Sequence, residues 1–332
     1  MTESTRDRAV AALYGLAIGD ALGMPTQMLS PDEIAARFGR LDGFRAADPA
    51  HPIAAGMPAG AVTDDTEQAL LLADALIDGD GHVDAERFAR SLIAWEEDMR
   101  SRGSLDLLGP STKAAVEAIL AGTPVDQAGR EGATNGAAMR VTPVGIVVPS
   151  DDLGELVDRV AQASAVTHNT TIAIAGAAAV AGAVSAGIDG AGVSLAVRTG
   201  IAAADLGGER GHWAAGGEVA RRIEWAISLG EPGDPEDSVR RIRSLIGTSL
   251  ATQESVPAAF GIIATFPDDP WSACLAAAGL GGDSDTIGAM VGAILGACLG
   301  TEGFPAEALA IIRDVNGLEL ETIADRLLSL RR

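Results

Sequence analysis

At 332 residues the chain is long enough to bury a sizeable core in one domain or two. Its 46 acids outnumber 24 Lys and Arg, Lys113 is the one lysine, and the net charge of −22 leaves no basic stripe for nucleic acid or an anionic membrane. Hydrophobic residues make up 47 % but aromatics only 3 %, so Ala, Leu, Ile, Val and Gly must build the core, a composition that favours close-packed helices over sheets.

The first periodic segment, residues 6–22, carries Val10, Leu13, Tyr14, Ala17, Ile18 and Ala21 on one face and stops at Gly23-Met24-Pro25. Gly15, Gly19 and Gly23 share a helical face at i, i+4 and i+8, which lets another helix pack very close. Asp20 sits among apolar neighbours and must find hydrogen-bond partners; pinning a helix end suits it better than direct catalysis. Ser30-Pro31-Asp32-Glu33 is a start signal with an N-cap, a proline at the first helical position and the makings of a capping box. A Gly-, Pro- and Ala-rich stretch, 39–62, reads as a long loop.

That loop leads into Thr63-Asp64-Asp65-Thr66, which opens the apolar run Ala69-Leu70-Leu71-Leu72-Ala73. Helices are then predicted near 64–78, 84–99, 111–121, 136–146, 152–165, 169–187, 192–205, 213–229, 235–247, 255–265, 271–279, 285–299 and 305–330. The segment from Ile172 to Ile188 is apolar or small almost throughout, but it is rich in Ala and Gly and short for a bilayer, so a central helix walled in by others fits it better. No charge run, low-complexity linker or repeat divides the chain, and one domain over 1–332 is expected.

Near the far end Asp283-Ser284-Asp285-Thr286, preceded by Gly281-Gly282, opens a second apolar run, Ile287 through Leu299. Both acidic clusters read as first turns of buried helices. One carboxylate there is ordinary, because the helix dipole and free N–H groups favour an anion. Four that meet in space would repel one another, and oxygen-only donors select a hard divalent cation, Mg²⁺, Mn²⁺ or Ca²⁺. Adjacent glycines allow a close backbone approach or positive φ.

The remaining signals are individually weak. Asp106 precedes a helix start near Ser111 and suits a general acid or base if it faces a cavity. Thr134-Asn135-Gly136-Ala137-Ala138-Met139-Arg140 is a small, polar loop entering a helix N-terminus, where free N–H groups suit phosphate or ribose oxygens. His168 lies in Thr167-His168-Asn169-Thr170, a plausible ligand-facing loop, whereas His51, His82 and His212 have no partners that suggest zinc. Cys274 and Cys298 read as reduced, buried thiols, and the start Met1-Thr2-Glu3-Ser4-Thr5-Arg6-Asp7 lacks a signal-peptide pattern, so a cytoplasmic setting is expected.

Taken together, Gly19-Asp20-Ala21-Leu22-Gly23, Thr63-Asp64-Asp65-Thr66, Asn135 to Arg140, His168 and Gly281 to Thr286 resemble the ADP-ribosylglycohydrolase family, in the family's order and over nearly the whole chain. The resemblance implies an all-α, single compact orthogonal helix bundle with two divalent cations, Mg²⁺ or Mn²⁺. It assigns the metal ligands to Thr63, Asp64, Asp65, Asp283, Asp285 and Thr286, and the substrate wall to Gln27, Asn135, Gly136, Ala137, Met139, His168, Gly281 and Gly282. Asp65, Asp285 and Asp106 are the catalytic candidates. Two departures stand out. Gln27 occupies the place of a glutamate common in the family and cannot act as a base, and the loop acid appears as Asp106-Leu107-Leu108-Gly109 where the family spacing is shorter.

The function so implied is hydrolysis of the bond at the anomeric carbon of an ADP-ribosyl group, with substrate phosphates near the N–H groups of Gly136 and Gly282. Two alternatives keep the fold: an N-glycosidase for a small nucleoside or other ribosyl conjugate, and a catalytically silent binding protein. The substrate would be an ADP-ribosylated protein or a ribosyl conjugate, with neither nucleic acid nor membrane as partner.

Overall fold

The computed structural model describes residues 2–104 and 108–332, so Asp106 lies outside the described residues. In chain order the helices are α1 (Glu3–Gly23), α2 (Pro31–Phe38), α3 (Asp64–Asp78), α4 (Ala85–Ser101), α5 (Pro110–Leu120), α6 (Val125–Ala128), α7 (Gly136–Met139), α8 (Thr142–Val147), α9 (Leu153–Ser164) and α10 (Thr171–Ile188). They continue as α11 (Val193–Gly207), α12 (Val219–Leu229), α13 (Pro235–Arg241), α14 (Thr252–Thr265), α15 (Pro270–Ala278), α16 (Ser284–Leu299), α17 (Ala306–Asn316) and α18 (Leu320–Leu330). Among the described residues there is no β-strand, only two isolated bridges. The fold is all-α, as the composition requires.

Local chemistry explains the boundaries. Ser30 caps α2 in a full capping box with Glu33. The helix anticipated over 136–146 divides into α7 and α8 because Pro143, in the first turn of α8, has no N–H to continue the ladder. The segment 305–330 divides at Gly317, which ends α17 in the left-handed region at φ 65°. The segment over 213–229 becomes helical only from Val219, after Gly216 and Gly217, and 235–247 ends in a π-helical turn, Ile242–Ile246.

One hydrophobic cluster runs from Ala9 to Leu328. Its centre is α10, apolar enough to cross a membrane by composition (mean hydropathy 1.9) yet 94 % buried within the protein. Helices α1 and α16 cross with their glycines face to face. A Cβ on Gly15 would collide with the Gly292 carbonyl, on Gly19 with the Gly288 carbonyl, and on Gly23 with the backbone of Asp285. The glycine stripe therefore sets α16 directly against α1, and its last contact falls on the first turn of α16. That contact matters, because the same end of α1 also holds the start of α3.

Candidate active site

Asp20, in the last turn of α1, is fully buried. Its carboxylate accepts from the backbone N–H of Thr63 (3.0 Å) and of Thr66 (3.2 Å), and from the hydroxyls of Thr63 (2.7 Å) and Thr66 (2.5 Å). Burial pushes the acid up to about 6, against the pull of those four donors. Asp20 is thus a cap supplied to α3 from another helix, the structural role its apolar setting suggested.

With α3 held by Asp20 and α16 held by Gly19 and Gly23, the two acidic clusters meet. The Thr286 hydroxyl donates to Asp65 Oδ2 at 3.3 Å, across 221 residues of sequence. Asp64, Asp283, Asp285 and Thr286 line one cavity of about 270 Å³, closed by Met28, Ile53, Leu108 and Leu250 on its apolar side. Asp65 lies one layer behind, with Oδ1 buried and without a hydrogen-bond partner among the described residues. Burial raises the Asp65 carboxyl well above the usual range, and the charges of Asp285, Asp64, Asp20 and Asp283 raise it further. Asp283 is pushed up to about 6 by burial, although Asn135 and Thr286 hydrogen-bond to it. A larger hollow beside Trp213, about 430 Å³, carries no comparable set of buried acids.

Gly281 and Gly282 take φ of 75° and 71°, the left-handed conformation that glycine tolerates. They bind the loop after α1: Met28 N–H donates to the Gly282 carbonyl at 2.6 Å, and Gly282 N–H to the Leu29 carbonyl at 3.1 Å. The Gly282 N–H is therefore engaged and does not point at a substrate phosphate. Met28 itself has φ 62°, a strained conformation for a side chain of this kind on the rim of a site. His51 fastens the same loop: its Nδ1 accepts from the N–H groups of Ile53 and Ala54, so Nε2 donates to the Gln27 carbonyl at 2.9 Å.

The structure brings Gln27, Asn135, Gly136 and Met139 onto the cavity wall, but not every residue expected there. Gln27 is buried, and its Nε2 has no partner among the described residues. Asn135 Nδ2 donates to Asp283 Oδ2 (2.5 Å) and to Ser255 (2.9 Å), tying α7 to both α16 and α14. Ala137 packs in the main core, and Gly281 and Gly282 lie against Leu29, Pro31 and Thr248 rather than on the wall. His168 is fully buried behind Thr134 and Gly136. Thr63 lies between Asp20 and Asp65 and is 1 % exposed. The sequence reading named Thr134 only as the start of its loop and missed Thr112 on the wall, and Ser255 and Gln68 behind it. Gln68 alone had a signal, its position four residues after Asp64, whose Oδ2 it meets at 2.8 Å.

Buried carboxylates gathered from two helix starts around one small cavity are an arrangement that glycoside hydrolases use. Residues 1–332 match the ADP-ribosylglycohydrolase family throughout, and the chain belongs to that family. It is 35 % identical to the uncharacterized protein YegU of Escherichia coli (strain K12) over 98 % of each chain. It is 26 % identical to the ADP-ribosyl-[dinitrogen reductase] glycohydrolase of Rhodospirillum rubrum over 98 % of this chain and 97 % of that one. A solved ADP-ribosylglycohydrolase-related protein complex shares the fold with a TM-score of 0.74 at 24 % identity, covering all of both chains. The protein is a hydrolase.

Proposed function

We propose that the enzyme hydrolyses the bond at the anomeric carbon of an ADP-ribosyl group on a protein or small conjugate, and that residues 1–332 act as one domain. The observation that carries this reading is the meeting of the two acidic helix starts, Thr286 against Asp65, on the wall of a shared cavity. Negative charge so placed stabilises the positive ring of an oxocarbenium-like transition state. In this reading Asp285, which lines the cavity, takes the proton of an attacking water, with Asp65 behind it as the reserve acceptor. Gln27 cannot accept that proton; its bare Nε2–H is a donor for a substrate oxygen.

The donor set also fits divalent cations. Asp65 Oδ1 is buried without a partner, burial holds Asp65 and Asp283 above their ordinary acidity, and all the donors are hard oxygens. Among the described residues no three Asp, Glu, His or Cys side chains stand together as a ready metal-holding group. Asp64, Asp65, Asp283, Asp285 and Thr286 would hold Mg²⁺ or Mn²⁺, with Thr63 bracing Asp65 from behind. Bound there, the ions supply the positive charge that keeps adjacent carboxylates ionised and binds ribose hydroxyls.

A second reading, a nucleoside or small ribosyl conjugate as substrate, is favoured by the cavity, whose volume of about 270 Å³ falls below the range for drug-sized ligands. The deciding experiment presents ADP-ribosyl-arginine, ADP-ribosyl-serine peptides and free nucleosides with Mg²⁺, Mn²⁺ or chelator. Release of ADP-ribose from a conjugate supports the first reading, turnover of nucleosides alone the second. Asp64→Asn with Asp283→Asn should abolish turnover while circular dichroism stays helical; full activity in that double variant would end the acidic-site reading. The two buried thiols, unpaired in the structure, are in keeping with the cytoplasmic setting.

A further inference from the structure

Arg140, at the end of α7, is 1 % exposed and makes no ion pair among the described residues. A buried guanidinium so placed must satisfy its donors on neutral partners. Nη1 donates to Gln68 Oε1 at 3.0 Å, Nη2 to Thr167 Oγ1 at 2.6 Å, and the group lies 5.2 Å from the centre of the Phe88 ring. Each arm continues to the cavity. Gln68 Nε2 donates to Asp64 Oδ2 at 2.8 Å, and Thr167 Oγ1 lies 2.7 Å from His168 Nδ1, whose Nε2 lies 3.0 Å from Thr134 Oγ1. Asp64 and Thr134 both line the cavity.

The direction of the second arm follows from counting protons. Arginine only donates, so Thr167 accepts from it and turns its own hydrogen to the one remaining partner, His168 Nδ1. The proton of the neutral imidazole then sits on Nε2 and is donated to Thr134. Among the described residues Thr134 Oγ1 has no other partner, so its hydrogen is left for whatever fills the cavity. Burial and the nearby Arg140 hold His168 well below its usual range, which keeps the ring neutral. Gly136 lies against this ring: a Cβ there would sit 2.8 Å from His168 Cε1.

We propose that Arg140 is a positioning residue that fixes Asp64 through Gln68 and, through Thr167 and His168, makes the Thr134 hydroxyl a hydrogen-bond donor to an acceptor oxygen of the substrate. Thr134 thereby becomes a binding residue that selects acceptor over donor groups. The opposite histidine tautomer would turn Thr134 around and make it an acceptor, so the tautomer decides the matter. The identity of the substrate rests on the ADP-ribosyl reading; the tautomer does not.

The test begins with ¹⁵N–¹H correlation of the imidazoles in the substrate-free protein, which has 4 histidines. The expected His168 signal is the Nε2–H tautomer in the wild type and a mixture in Thr167→Val; an Nδ1–H tautomer in the wild type would overturn the relay. Binding and turnover follow, with ADP-ribose and ADP-ribosyl-arginine as probes. Thr134→Val should weaken ADP-ribose binding and raise KM about tenfold, the cost of one lost donor, with kcat changed less than KM and with Thr134→Ser restoring both. Unchanged binding in a folded Thr134→Val overturns the donor role. Arg140→Lys keeps the charge but cannot fork, so it should lose the wild-type tautomer; if it fails to fold, the Thr167 and Thr134 variants carry the test. Failure of the wild type to bind ADP-ribose would remove the substrate reading, while the tautomer would still decide the relay.

Discussion

The two acidic helix starts look alike in sequence and are held in different ways. The start of α3 is held by charge: Asp20 gathers two backbone N–H groups and two hydroxyls from Thr63 and Thr66. The start of α16 is held by shape: Gly19 and Gly23 let it lie against α1 so closely that no Cβ fits. Both devices belong to α1, so one helix aligns both clusters. The contrast teaches that an acid-rich site can be oriented from behind by a single scaffold element, which leaves the acids on the wall to carry chemistry.

The sharpest way to break this arrangement is on the shape side. Gly19→Ala should cost more than about 3 kcal/mol, because the added methyl meets backbone on α16 that no rotamer change can move. The helix-propensity gain of alanine, about 1 kcal/mol, does not offset that. Thermal melting checks it; a stable, active Gly19→Ala would mean that the helix crossing does not position α16. On the charge side Asp20→Ala should cost about 2–3 kcal/mol by leaving buried donors of Thr63 and Thr66 without an acceptor. Its damage should fall on the α3 end, readable as faster amide exchange at Thr63 to Thr66 with the first turn of α16 unchanged.

How far these devices could be read beforehand depends on distance along the chain. The glycine stripe and the buried Asp20 were visible as needs, a close partner and a set of donors, because i, i+4 spacing and apolar neighbours are local properties. Their satisfaction was not visible, since Thr63 lies 43 residues from Asp20, beyond α2 and the long loop that follows it. Both acidic first turns were legible from capping chemistry alone. The relay behind the cavity was not, because it depends on α7 ending at Met139, where the periodic pattern suggested a continuous helix to 146. It also depends on the turn after α9, further along the chain, where His168 N–H donates to the Ser164 carbonyl. Gln27 was legible as a substitution for an acid, but its unpartnered Nε2 needed the folded loop.

Protonation gives a subtler probe of the same comparison. Asp283 in the folded protein titrates near 6, above its ordinary 3.8. The folded state therefore binds a proton between roughly pH 4 and 6 that the unfolded state has released, and the metal-free protein loses stability as pH rises through that window. Asp283→Asn should accordingly stabilise the chelated protein on the order of 2 kcal/mol at pH 7.5, with the gain fading towards pH 4.5. Adding Mg²⁺ or Mn²⁺ should reverse the order, raising the melting temperature of the wild type above that of the variant. If the variant melts lower in chelator at pH 7.5, the buried charge is already compensated within the protein.

The smallest effect separates shape from hydrogen bonding at α16. Ser284 shares a 3.0 Å hydrogen bond with Thr26 and donates to the Gly23 carbonyl at 3.3 Å, so it too ties α16 to the end of α1. Thr26 keeps acceptors in the carbonyls of Gly23 (2.9 Å) and Ala278 (2.8 Å) when that partner is removed. Ser284→Ala should therefore cost no more than about 1 kcal/mol and leave turnover close to that of the wild type. A loss as large as that of Gly19→Ala would show that this hydroxyl pair, rather than the glycine contact, places Asp283 and Asp285. The contrast between a cap of charge and a cap of shape would then have to be redrawn as two hydrogen-bonded caps.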